Sequence, residues 1–86
     1  DLHLGLNKLN SLRNESFVNL IHLNKLIMDC SQIEYIERYA FKNLPNIKNL
    51  NIGRNRIKNF DFIYELVSLT YLEIISNYFD FKTADS

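Results

Sequence analysis

The chain has 86 residues, 23% of them charged, and its ten Lys and Arg are balanced by ten Asp and Glu. That length allows one small core, and the zero net charge excludes a chain built mainly to neutralise nucleic acid or coat an anionic membrane. The single cysteine, Cys30, excludes an internal disulfide and a CxxC redox pair. No apolar run reaches the ~18 residues that a membrane-spanning helix needs, because Glu65 and Glu73 interrupt the best candidate. Twelve asparagines stand beside 23 leucines and isoleucines, with only two glycines and one proline, so ordinary turn signals are scarce.

The first predicted element is "LHLGLNKL" at 2–9, which reads apolar-x-apolar-x-x-polar-x-apolar, with Asn7 at the polar sixth place. Leu12, Phe17, Leu20 and Leu23 then lead to the second block, "LIMDCSQI" at 26–33, with Ser31 at the sixth place. Ile36, Phe41, Leu44 and Ile47 lead to the third, "LNIGRNRI" at 50–57, with Asn55. Phe60, Ile63, Leu66 and Leu69 lead to the fourth, "LEIISNYF" at 72–79, with Asn77. The blocks start 24, 24 and 22 residues apart, and aligning Ile63 with Phe17 and Phe41 puts the two missing residues between Phe60 and Ile63. Such a period predicts one short strand per unit, a corner, and a return segment, with neighbours stacked in parallel. At each corner the backbone loses its strand partners. An asparagine amide both donates and accepts, so it can satisfy those groups, whose neglect costs ~1–3 kcal/mol each. Asn7, Ser31, Asn55 and Asn77 are therefore read as a structural ladder. The shorter hydroxyl of Ser31 predicts a looser corner, or one completed by water.

This pattern resembles the leucine-rich repeat signature L-x-x-L-x-L-x-x-N-x-L over almost the whole chain. The resemblance implies an α/β solenoid, a right-handed coil with short parallel strands on a concave face and irregular, 3-10 or turn segments on the convex face. The 24-residue units with their return-segment phenylalanine are similar to the "typical" subclass, common in secreted proteins and receptor ectodomains. The 22-residue unit is similar to a shorter subclass. Residues 1–86 are then a single segment with repeats starting near 2, 26, 50 and 72, expected to be a slice of a longer array. It lacks both caps, so flanking repeats or caps are expected at both ends, where apolar side chains should lie uncovered. The resemblance further implies a non-enzymatic module that recognises another protein, as Toll-like receptor ectodomains and insect leucine-rich immune proteins do. An extracellular or cell-surface location goes with that reading. The alternative is a structural scaffold, cytoplasmic or on the surface, without a dedicated ligand.

Side chains between the core places of each strand are expected to face outward on the sheet. Successive rows read Asp1, Lys25, Asn49, Tyr71; then His3, Ile27, Asn51, Glu73; then Gly5, Asp29, Gly53, Ile75. Beyond the strands come Leu6, Cys30, Arg54, Ser76 and Lys8, Gln32, Arg56, Tyr78. From these rows Lys25, Ile27, Asp29, Asn49, Asn51, Arg54, Arg56, Tyr71, Glu73, Ile75 and Tyr78 are the candidate ligand-binding residues, since exposed aromatics and arginines are the usual interface anchors. Four strands at ~4.8 Å spacing and ~17 Å length offer about 330 Å², against ~800 Å² per partner in a standard interface. Further repeats, or a weak contact, would have to make up the difference.

Catalytic chemistry finds no support in this pattern. His3 and Cys30 fall three places apart along neighbouring strands, about 10 Å at ~3.3 Å per residue, where a nucleophile and its base need ~3 Å. No metal site or cofactor is expected from two histidines and one cysteine, and no glycine-rich phosphate loop occurs. "GRNRIK" places Arg54, Arg56 and Lys58 together, which suits an anionic group or a solvated face. Asn14-Glu15-Ser16 is an N-glycosylation sequon on the return side, away from the sheet.

Overall fold

The computed structural model describes residues 2–5 and 9–78. In Lys25–Ile27 burial alternates, with Leu26 fully buried and its neighbours half-buried; Asn49–Asn51 repeats the alternation around Leu50. That alternation is what a half-buried strand requires. The strands are β1 (Leu2–His3), β2 (Ser11–Leu12), β3 (Lys25–Ile27), β4 (Tyr35–Ile36), β5 (Asn49–Asn51) and β6 (Tyr71–Glu73). β1, β3, β5 and β6 form a parallel four-stranded sheet in that order. Its register pairs Leu2 with Leu26, Leu26 with Leu50, and Leu50 with Leu72, so each block of the sequence sits beside the next.

β2 and β4 make a second, two-stranded parallel sheet, pairing Ser11 with Tyr35 and Leu12 with Ile36. The sequence pattern did not separate these strands from turn. In the third unit Asn59 takes the corresponding place with its side chain. Its Oδ1 accepts from Ile36 N–H at 3.2 Å and its Nδ2 donates to Ile36 C=O at 2.6 Å, so an amide imitates one more strand. Beyond Asn59 the backbone turns into a 3-10 helix, Asp61–Glu65. There is no α-helix among the described residues, so the α part of the expected α/β class is not present there; the returns are turns, β2, β4 and this one helix. Asparagines, aromatics and β-branched residues dominate these returns, and they are weak helix formers.

Leu26, Met28, Ile33, Ile36, Phe41, Leu50, Ile52 and Ile57 are fully buried in one continuous core. The matching places of the outer units, Leu2, Leu4, Leu9, Leu72 and Ile74, are only partly buried. Behind the strands runs a row of phenylalanines. Phe17 stacks on Phe41 at 6.0 Å between centroids, and Phe41 meets Phe62 edge-on at 5.7 Å. Phe62 thus occupies the place that alignment gives to Ile63. The two-residue deletion and the tighter 3-10 winding move the return by one residue, and the larger ring fills the core while Ile63 packs at its edge.

The corners follow one backbone rule. Cys30, Arg54 and Ser76, each just before a ladder place, have φ of 55°, 57° and 59°. For residues other than glycine this left-handed conformation costs roughly 1–2 kcal/mol, so something must hold it. Asn55, 4% exposed, accepts from Ser31 N–H at 2.9 Å and Ile33 N–H at 3.0 Å, and donates to the carbonyls of Met28 and Ile52 at 2.9 Å and of Gly53 at 3.2 Å. Asn77 accepts from Ile57 N–H at 3.1 Å and donates to Ile52, Ile74 and Ile75 carbonyls. Asn7 lies outside the described residues.

At Ser31 the expectation of a looser corner is corrected. The residue is fully buried, and its hydroxyl lies 2.8 Å from Leu4 C=O and 3.2 Å from Asp29 C=O, the carbonyls equivalent to two of those that Asn55 serves. What serine lacks is an acceptor for the N–H of Leu9. The peptide between Ser31 and Gln32 turns over to supply one, and Leu9 N–H donates to Ser31 C=O at 3.0 Å. In the two asparagine corners the peptide faces the other way: Arg56 N–H donates to Ile33 C=O and Tyr78 N–H to Ile57 C=O. The inverted peptide puts Gln32 at φ 58°, a conformation that Arg56 and Tyr78 do not share.

Two substitution pairs test these assignments by urea unfolding. Phe62→Ala should cost ~3–5 kcal/mol, and Ile63→Ala clearly less; the reverse order would restore the alignment of Ile63 with Phe41. Gln32→Gly should stabilise by ~0.5–1 kcal/mol by relieving a left-handed residue, whereas Arg56→Gly should destabilise by a similar amount. Equal effects at the two places would contradict the peptide inversion.

Candidate functional site

The outward side chains of the parallel sheet come together in part. Lys25, Ile27, Asn49, Asn51 and Tyr71 line a shallow cavity of about 430 Å³ over the central strands. Leu26 and Leu50 complete its lining, and Tyr71 is 56% exposed. The tyrosine ring gives apolar area with a polar tip, and Lys25 and the two asparagines supply hydrogen-bonding groups around it. That combination suits a partner's side chain better than a reaction.

A smaller notch of about 130 Å³ follows along the strands, lined by Asp29, Asn51, Gly53, Arg54, Glu73 and Ile75. Its shape depends on missing side chains. A Cβ on Gly5 would stand 2.6 Å from Asp29 Oδ1, so Asp29 lies over the neighbouring unit only because residue 5 is glycine. Asn51 Oδ1 accepts from Gly53 N–H at 3.0 Å, and Glu73 Oε1 from Ile75 N–H at 3.2 Å, so each side chain closes the end of its own strand. Ile75, 60% exposed, rims the notch. Arg54 lines it together with Asp29 and Glu73, so the notch is mixed in sign.

Arg56 and Tyr78 are not on the sheet. Together with Cys30, Gln32, Arg54 and Ser76 they line a separate groove of about 490 Å³ over the corners, above Asn55 and Asn77. Of the predicted binding residues, then, Lys25, Ile27, Asn49, Asn51 and Tyr71 share one cavity and Asp29, Glu73 and Ile75 the adjoining notch. Arg54 bridges notch and groove. The left-handed residue before each ladder place explains the division, because it turns the chain off the sheet. Asp1, Leu6 and Lys8 lie outside the described residues, so the first unit contributes only His3 and Gly5 to these rows. Cys30 is a free, half-buried thiol, and among the described residues no group of three His, Cys, Asp or Glu is placed to hold a metal ion. No helix among them is long and apolar enough to cross a membrane.

On the return side Asn14 is exposed. Its N–H donates to Glu37 Oε1 at 2.6 Å and its Oδ1 accepts from Tyr39 N–H at 3.1 Å. Sequence reading passed over a cluster beside it. Arg38 lies 4.9 Å from the Tyr64 ring centre, 5.5 Å from that of Tyr39, and 3.8 Å from Glu65. Only the fold brings Arg38 and Tyr64 together, across 26 residues, so no local spacing announces them. A family model described as "Leucine rich repeat" matches residues 21–79, from just before β3 through the fourth corner.

The glycine under Asp29 gives a direct check. Gly5→Ala should displace the Asp29 side chain and cost about 1–2 kcal/mol, while Gly53→Ala, whose Cβ would meet nothing nearer than 3.4 Å, should cost less than 1 kcal/mol. Equal costs in urea unfolding would mean that Asp29 does not lie over Gly5.

Proposed function

Since the chain belongs to the leucine-rich repeat family, whose repeats generally mediate protein–protein interaction and are typically non-enzymatic, we propose that it is a recognition module binding a partner protein on its sheet face. The observation that carries this reading is the cavity over β3, β5 and β6, where an exposed tyrosine stands beside Lys25 and two asparagines on a parallel sheet. Tyrosine in such a setting is a typical interface anchor. In this reading the sheet is the concave face of a solenoid, and further repeats extend it to the area that a stable complex needs. The half-buried apolar places of the outer units fit that extension. The role follows as extracellular or cell-surface recognition, of the kind that innate immunity uses. Asn14 supports the location: it is exposed on the side opposite the cavity, and its Oδ1 and N–H hold the next unit while its Nδ2 makes no hydrogen bond among the described residues.

Selection of binders from a random peptide display library tests the face. Most independent binders should lose about tenfold or more in affinity on Tyr71→Ala, as hot-spot residues do, and keep it on Tyr64→Ala, an even more exposed tyrosine of the return side. Binders indifferent to Tyr71 would remove the proposal. For location, expression through a eukaryotic secretory pathway should give a glycan on Asn14 that Asn14→Gln abolishes, read as a mass shift. A chain left unmodified there would favour the scaffold reading.

A further inference from the structure

The groove over the corners stands apart from the sheet face and is cationic. Arg54, Arg56 and Lys58 are exposed and alternate with the buried residues Asn55 and Ile57; Arg54 and Arg56 line the corner groove. Among the described residues none of them has a carboxylate within ion-pair distance, and the one ion pair is Arg38 with Glu65 on the other side. Arg56 and Tyr78 line both the corner groove and a second one of about 370 Å³ that continues to Tyr35, Glu34 and Lys58. The two grooves adjoin at Arg56 and Tyr78, and together they are treated as one channel.

We propose that this channel binds a sulfated polysaccharide. Three observations choose that occupant. Charge comes first: Arg56 and Lys58 are exposed cations with no carboxylate within ion-pair distance among the described residues, and they match sulfate groups; Arg54 also lines the notch that holds Asp29 and Glu73, and Glu34 is the one carboxylate among the described residues that line the channel. Second, no Leu, Ile, Val, Met or Phe is among the described residues that line the channel, so its apolar surface comes largely from tyrosine rings and the stems of arginine and lysine, against which a sugar ring can lie. Third, Tyr35 and Tyr78, 48% and 59% exposed, offer ring faces on which the apolar face of a sugar can lie, and Gln32 and Ser76 offer hydroxyl and amide partners for its oxygens.

The test titrates the full chain with a size-defined heparin octasaccharide, its desulfated counterpart, single-stranded DNA and polyglutamate of similar charge. Sulfated octasaccharide should bind most tightly. Arg56→Gln with Lys58→Gln should weaken it by about tenfold or more and lower the slope of log affinity against log salt by about 2. Tyr78→Ala should weaken it severalfold through lost stacking, and this second variant stands if the first does not fold. Tyr71→Ala, on the sheet, should leave it unchanged, so failure here and failure of the sheet-face proposal are separate results. Absence of binding, variants equal to the parent, or equal or tighter binding of DNA or polyglutamate would each overturn the assignment.

Discussion

Five hydrogen bonds through one buried amide hold the middle of this chain in shape. Asn55 joins the N–H groups of Ser31 and Ile33 to the carbonyls of Met28, Ile52 and Gly53. At this corner the chain leaves the sheet at a left-handed residue, and the amide pairs the backbone groups that the turn buries. A neutral hydrogen bond contributes only ~0.5–1.5 kcal/mol net, but an unpaired buried group costs ~1–3 kcal/mol. The amide is retained for what its absence would expose. Because its contacts cross from one unit to the preceding one, the same residue also fixes how neighbouring units stack.

Everything presented to a partner inherits that geometry. The turn off the sheet before each ladder place separates the residues of β3, β5 and β6 from those of the corner channel. Lys25, Asn49 and Tyr71 are held side by side by strand register, each on a different unit. Arg54 and Arg56 flank the buried amide itself. A binding surface built this way needs little ordering when a ligand arrives, which limits the entropic cost of association.

Much of this was legible in the sequence. Apolar places recurring at intervals of 24, 24 and 22 residues specified the parallel register of Leu2, Leu26, Leu50 and Leu72, and the composition of the sixth place pointed to corner hydrogen bonding. The return side was less legible, since its outcome depends on contacts between units. Ile63 and Phe62 are adjacent and both apolar, and only the space beside Phe41 decides which ring or branch enters the core. Asn59 looks like one asparagine among twelve until Ile36 supplies a free backbone edge for it. The inverted peptide at Ser31 is a response to a missing acceptor for Leu9, and pattern matching registers the serine but not the compensation. On the binding side, the rows gave the strand residues their neighbours, while the corner residues were grouped with them because a row drawn on an extended chain does not turn.

Amide hydrogen exchange in the Asn55→Ala chain tests the central role of that side chain most directly. The N–H groups of Ser31 and Ile33, which donate to it, should lose far more protection than those of Met28 and Ile52, which donate to neighbouring strands at 2.8 and 2.9 Å. A uniform loss at all four amides, or none at Ser31 and Ile33, would contradict the account.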